Sequence, residues 1–396
     1  MNDVSIEPRR WFCAIPMTYS EAGRFWVRDT GLVCLGFRTL GIDSRFVALG
    51  EPCIHEDMPL ITGTLGQMQD AAWWKQWQVG VLLLCTWALP QFEPIAKAVK
   101  DAGIKLFLIM DSDGFVSPHV SPWISFQHKC VREMDDHKSW FPRGRALIKA
   151  VVSSFKLRHK KTIRHLEHAD LVVLPSPLAK QRYRRFLLAM GRPDLAARLK
   201  YVPYAVTSDM VYDGRIAKRP LIIAVGRWHT EQKNAPLLAR VVQRVLQEQP
   251  EYSVRILGDD GELVRNFLLP RNNEYAARVE ILGNLEHKKL PPLYQESQII
   301  LCTSYMESFH IAAAEALCCG CSVVANGRIS SMPYFVQFGS GAISCDLSLS
   351  GFTDALFAEI DCWKTGDRDP LQISKTWTAK LHPQEVARSF VRLASP

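Results

Sequence analysis

The chain has 396 residues, more than one ordinary hydrophobic core accommodates, so two domains are expected. Hydrophobic residues make up 47% and charged residues 22%, the balance of a soluble globular protein. The net charge of +8 is mild, no apolar run approaches the ~20 residues of a membrane span, and residues 1–11 lack the apolar core of a signal peptide. A cytoplasmic protein is the expectation. The 11 cysteines agree, because Cys318, Cys319 and Cys321 crowd one helix end and no C-x-x-C pair is matched by a second.

In chain order, residues 11–17 read as a strand that runs into a polar turn holding Glu21 and Gly23. A helix over about 25–40, stopped at Gly41, and a strand over 44–49 complete a βαβ unit without the G-x-G-x-x-G fingerprint. Residues 79–85 form the next strand, 94–102 a helix, and 105–110 a strand ending in Asp111-Ser112-Asp113-Gly114. Ligands of parallel sheets bind beyond the carboxyl ends of strands, which makes Asp111 and Asp113 candidates. A solvated Asx turn is the plain alternative. Residues 117–144, including His119, read as a long loop. From 143 to 166 there are eight Lys/Arg and no acid, on a segment expected to be mostly helical to 168. That charge suits anionic lipid headgroups or anionic substrates, or it is simply a solvated helix face. Without interleaved aromatics or a known module, it does not predict nucleic-acid binding. A strand over 169–174, a helix over 176–190 and an extended piece at 201–204 close the half.

Residues 206–220 are more polar and read as the interdomain linker, giving domains of 1–205 and 206–381. A last amphipathic helix over about 382–396 is expected to pack back on the first domain. The second half alternates again: strands at 221–225, 252–257, 279–282, 299–302 and 322–325, with helices at 236–249 and 290–295. The predicted fold class is α/β, with two Rossmann-like parallel-sheet domains.

Three loops after strands carry the chemistry. Gly226-Arg227 offers close backbone approach and then a bidentate guanidinium, and Lys233 adds a point charge, a pairing that suits a diphosphate. The stretch 307–320, E-S-F-H-I-A-A-A-E-A-L-C-C-G, follows a strand and is rich in helix formers, with Gly320 at a C-terminal stop. At about 1.5 Å per residue, a helix places Glu307 and Glu315 roughly 12 Å apart, enough to grip an extended ligand around a helix N-terminus. Carboxylates accept from hydroxyls, so a nucleotide sugar is suggested. Taken singly, Arg227 and Lys233 could be solvated and Glu315 an exposed helix residue.

The stretch resembles the E-x7-E motif of retaining GT-B glycosyltransferases, notably glycosyltransferase family 4. Glu307-Ser308-Phe309-His310-Ile311, Glu315-Ala316, Gly320 and Val323-Val324-Ala325 carry the likeness, with Val225-Gly226-Arg227, Lys233, Leu257-Gly258-Asp259 and Leu282-Gly283. The resemblance covers about 221–345. It implies two domains facing across a cleft and transfer of a sugar from a UDP- or GDP-sugar, with retained anomeric configuration and without a cofactor or essential metal. Arg227 and Lys233 would hold the diphosphate, Glu307 the sugar hydroxyls, and Glu315 the ribose. Leu282 would lie near the base, Gly226 and Gly258 beside the donor, and the amides following Phe309 against the phosphates. Glu21, Gly23, Asp111, Asp113 and His119 would lie on the acceptor side. The acceptor would be a glycan or lipid-linked glycan, with peripheral contact at the inner membrane face through 143–166.

Two departures stand out: His310 replaces the family's glycine, and Asp111-Ser112-Asp113-Gly114 stands where the family often has a histidine. They keep two alternatives open, a catalytically silent nucleotide-sugar or glycan-binding protein and a GT-B phosphorylase or epimerase. Donor hydrolysis with a nucleotide-sugar panel separates these.

Overall fold

The computed structural model describes residues 10–18, 26–27, 29–86, 89–111, 159–268 and 273–394. Its described residues divide into two compact units. The first comprises those up to 111, 159–207 and 380–394, the second 208–379.

In the first unit, β1 (Arg10–Thr18), α1 (Asp29–Thr39), β2 (Ser44–Leu49), β3 (Cys53–Ile54), β4 (Leu60–Gly63), β5 (Val79–Cys85), α2 (Glu93–Asp101) and β6 (Lys105–Ile109) follow one another. Then come α3 (His159–Glu167), β7 (Leu171–Leu174), α4 (Pro177–Ala189) and β8 (Leu199–Tyr201). The sheet order is β3-β4-β2-β1-β5-β6-β7-β8, parallel except for β3 against β4. Residues 81–85 of β5 are wholly buried, as a central parallel strand covered on both faces requires. Leu82, Leu84, Leu106, Leu108 and Val172 form a core with Ile95 and Val99 of α2. Each such side chain contributes about 1.5–3 kcal/mol by leaving water.

The second unit holds β9 (Arg219–Val225), α5 (Ala235–Glu248), β10 (Ser253–Leu257), α6 (Gly261–Leu268), β11 (Val279–Leu282), α7 (Leu290–Glu296) and β12 (Ser297–Cys302). It continues with α8 (Ile311–Cys318), β13 (Ser322–Asn326), β14 (Gly341–Ser344), α9 (Leu349–Lys364) and α10 (Pro370–Leu381). Its strand order, β11-β10-β9-β12-β13-β14, is all parallel. The direction of winding reverses between β9 and β12, so the loops after these two strands border the crevice where such sheets bind ligands. Leu238, Val242 and Val245 of α5 and Phe352, Leu356 and Ile360 of α9 pack with Ile222, Ile256, Ile299 and Leu301. The last helix, α11 (Pro383–Ala394), lies against α1, with Phe37 and Phe390 ring centroids 6.4 Å apart.

Several elements differ from expectation. The first helix is described from Asp29 to Thr39, and residue 25, where it was expected to start, lies outside the described residues. The four-residue β4, α6, β14, α9 and α10 were not anticipated: short strands carry too little periodicity, and mixed β-branched sequences such as T-W-T in α10 carry a weak helical signal. Within 206–220, the stretch read as the interdomain linker, Val206, Met210 and Tyr212 are buried. Most of the cationic run falls outside the described residues, although 159–167 are helical. Among the described residues, no helix is long and apolar enough to cross a membrane, and every cysteine is a free thiol.

Candidate donor site

The loops that follow β9, β10 and β11 are laced together by their backbones. The Gly226 amide donates to Leu257 O at 3.1 Å, and the Gly258 amide to Leu282 O and Gly283 O at 3.2 Å each. Gly258 has φ of +107°, and a Cβ there would stand 2.0 Å from Gly226 O. Gly258 is thus demanded by the approach of one loop to another, whereas a Cβ at Gly226 would meet only the Trp228 and Lys233 side chains of its own loop at 3.2–3.3 Å. Trp228, 3% exposed, backs the Gly226 turn and donates its indole N–H to Leu257 O at 2.9 Å. Arg227, between them, is exposed, and its guanidinium has no hydrogen-bond or ion-pair partner among the described residues.

Lys233 lies 74 residues from Glu307 in sequence, yet its ammonium donates to Glu307 Oε1 at 2.6 Å. Paired backbones bring them together. The Tyr305 amide donates to Gln232 O, the Gln232 side chain to Met306 O, and the Thr303 hydroxyl to Lys233 O at 3.0 Å. The Ser304 hydroxyl adds a 3.0 Å bond to the same Glu307 oxygen. Burial pushes the Glu307 carboxyl up, but Lys233 and the Ser304 hydroxyl outweigh it, so the group lies below its ordinary value and is ionised. Lys233 is therefore part of a half-buried pair and not a solvated cation.

Residues 307–310 are not helical; α8 begins at Ile311, so Glu307 sits in the loop before it. The separation of the two carboxylates along one helix axis does not apply, because a left-handed residue breaks the chain between them. That residue is His310, with φ 68° and ψ 73°. Its Nδ1 accepts the Ala313 amide at 3.2 Å and caps the helix. Burial, and then the Lys233 ammonium, press its pKa down to about 4, so the ring is neutral. Ser308 is half-buried and accepts a 3.5 Å bond from the Ser330 hydroxyl at its carbonyl. Phe309 is buried against Phe335, and Ile311 is half-buried. Gly320, φ +75°, ends the helix beyond Cys319.

Glu315 is buried, not exposed. One oxygen meets His287 Nε2 at 2.8 Å and the other accepts the Tyr294 hydroxyl at 3.1 Å. Burial opposes a charged His287, but the bond to Glu315 outweighs it and raises the imidazole above its ordinary value. His287, Tyr294 and Ser304 were missed from sequence. His287 and Ser304 do lie in strand-end loops, the one available signal; Tyr294 lies on α7 and gave none. Leu282, at the end of β11, is half-buried.

Lys218 was also missed. Its ammonium is turned inward onto Tyr294 O at 3.0 Å, Ser297 O at 2.6 Å and Cys319 O at 2.8 Å, with the Tyr212 ring centroid 4.9 Å away. These carbonyls end α7 and α8, so one cation satisfies the negative ends of both helices. Of the acceptor-side candidates, Asp111 is half-buried just beyond β6. Glu21, Gly23, Asp113 and His119 lie outside the described residues.

Paired strand-end loops, a half-buried cation–carboxylate pair and an exposed arginine thus meet in one region. Residues 219–357 match the family described as Glycosyl transferases group 1. This region is a group 1 glycosyltransferase domain. The chain is 27% identical over 135 residues to one component of the human phosphatidylinositol N-acetylglucosaminyltransferase, a match covering 34% of this chain and 28% of that protein. It is 30% identical over 120 residues to the D-inositol 3-phosphate glycosyltransferase of Corynebacterium diphtheriae, covering 29% and 28%. The matches thus span under a third of the length of these relatives. The structure superposes on that of Anabaena HepE in complex with UDP and glucose with a TM-score of 0.61 at 14% identity, covering 98% of this chain and 99% of the other. The fold is therefore GT-B, with the group 1 domain built on the six-stranded sheet.

Proposed function

We propose that the protein is a retaining glycosyltransferase that takes a sugar from a nucleoside diphosphate sugar and passes it to an acceptor hydroxyl. The observation that carries this is the Lys233–Glu307 pair at the switch point of the sheet, beside an arginine left open to solvent. Arg227 and Lys233 hold the diphosphate and stabilise it as it leaves, acting as fixed charges in a site where no metal is needed for that task. Glu307, ionised and positioned by Lys233 and Ser304, accepts hydroxyls of the donor sugar. Glu315 retains lone pairs for the ribose while His287 and Tyr294 fix its orientation. The base lies near Leu282. A uracil or guanine nucleotide is the donor, and HepE, a fold neighbour, binds UDP.

The acceptor is a glycan or lipid-linked glycan. The eight Lys/Arg between 143 and 166 support this reading, as does the phosphatidylinositol in the name of the human relative. On this reading the protein works at the inner face of a membrane without crossing it.

The test is donor consumption with a panel of UDP- and GDP-sugars, with and without acceptors, for wild type and Arg227→Ala. Wild type consumes one donor, and Arg227→Ala lowers kcat/KM by about 100-fold, the effect of deleting one preorganised charge donor, with melting unchanged. Equal loss of melting temperature and activity refutes the role of Arg227. Binding without turnover under every condition makes the protein a binding module.

A further inference from the structure

We propose that His310 is a specificity-determining residue of the donor site, its Nε2–H donating to an anionic oxygen of the donor diphosphate; this rests on the reading of the site just given. An imidazole nitrogen that accepts an N–H carries no proton. Nδ1 accepts from the Ala313 amide at 3.2 Å, so the neutral ring holds its proton on Nε2. The other contact of the ring, Cys302 Sγ at 4.0 Å, is also on the Nδ1 side. The residue is 5% exposed, and among the described residues nothing accepts from Nε2. Nε2 itself is not closed off from solvent, so an oxygen of a ligand can reach it.

The surroundings select the ligand's chemistry. The Lys233 ammonium is close enough to depress the titration of the ring. At the start of α8, His310 takes the amide of Ala313, while the first-turn amides of Ile311 and Ala312 have no intrahelical partner. Ammonium, amides and Nε2–H together form a donor-rich set around one acceptor, Glu307, which Lys233 and Ser304 already occupy at Oε1. A phosphate oxygen accepts without donating and suits that set better than a hydroxyl does. A glycine here offers only backbone, so the imidazole gives this chain a contact that its relatives with glycine lack. The left-handed backbone, a strained conformation for histidine, is consistent with a functional residue held in place by its surroundings.

The experiment uses His310→Asn in the full chain. Asparagine tolerates positive φ and its carbonyl caps Ala313, but its shorter side chain removes the Nε2–H. Calorimetric titration with UDP and GDP, and with uridine and guanosine, reads the contact. Wild type binds one of the diphosphates, and His310→Asn weakens that Kd by about 10–100-fold, the value of one hydrogen bond to a charged acceptor, leaving nucleoside affinity unchanged. His310→Gly, which suits the backbone, shows the same loss if the asparagine variant fails to fold. Nitrogen-15 spectra of the wild type show the Nε2–H tautomer and a shift of Nε2 on adding the diphosphate. Undiminished diphosphate affinity in the variants, equal weakening for nucleosides, or an Nδ1–H tautomer overturns the proposal while the donor reading stands. If wild type binds neither diphosphate, the donor reading itself fails and this inference fails with it.

Discussion

Replacing Lys218 with methionine tests whether one buried cation ties together the two helices that carry Tyr294 and Glu315. The substitution keeps the length of the side chain and removes the charge. It strips the ammonium from Tyr294 O, Ser297 O and Cys319 O. The Cys321 thiol still reaches the first two carbonyls, at 3.0 and 3.2 Å, which softens the loss there. Burial lowers the Lys218 pKa, so the native ammonium carries a desolvation cost that methionine avoids. Hydrogen bonds to charged groups contribute about 1.5–3 kcal/mol each, and after these offsets a net loss of about 3 kcal/mol is expected. For a unit of this size that lowers Tm by about 6–12 °C. The assay is thermal unfolding, followed by nucleotide titration below the new transition. Nucleotide affinity should fall as well, because a loosened Tyr294 orients the ribose-side Glu315 less firmly. A Tm within about 2 °C of wild type refutes the reasoning, since it means that the three carbonyls find equal partners without the cation.

Gly258→Ala should unfold the group 1 domain or cost it more than about 3 kcal/mol, because the new Cβ meets backbone 2.0 Å away at a left-handed φ; an unchanged denaturant midpoint contradicts this. His310, at about 4 in the folded state, stays neutral while its unfolded counterpart protonates near 6.5, so stability falls by about 3 kcal/mol between pH 6.5 and 4 and is regained above. His310→Asn should flatten that part of the stability–pH curve, measured by urea unfolding at each pH. His287 has the opposite sign: its raised folded pKa stabilises fully below its ordinary value near 6.5 and is lost as pH climbs through the folded one. His287→Ala should remove stability on the acid side of that window and little on the alkaline side, as thermal melts across the range will show.

What the sequence by itself determined is local. Apolar runs such as 81–85 and 299–302 are buried on both faces wherever they occur, so they read as parallel strands without knowledge of their neighbours, and two alternating α/β halves follow. The residues just past those strands are confined to one edge of their sheet, which is why Gly226-Arg227 and 307–315 could be picked as a group. Pairings over long separations were decided only by the tertiary structure. Lys233 meets Glu307 across 74 residues, Lys218 reaches Cys319 across 101, and Glu315 turns inward to His287 and Tyr294 where helical spacing alone left it free to face solvent. Gly258 needed the fold too, since the clash that forbids a side chain there comes from a loop on another strand. Period and propensity act over a few residues; charge pairing and steric exclusion depend on which strands become neighbours, and here that was settled by a winding order that puts β9 beside β12.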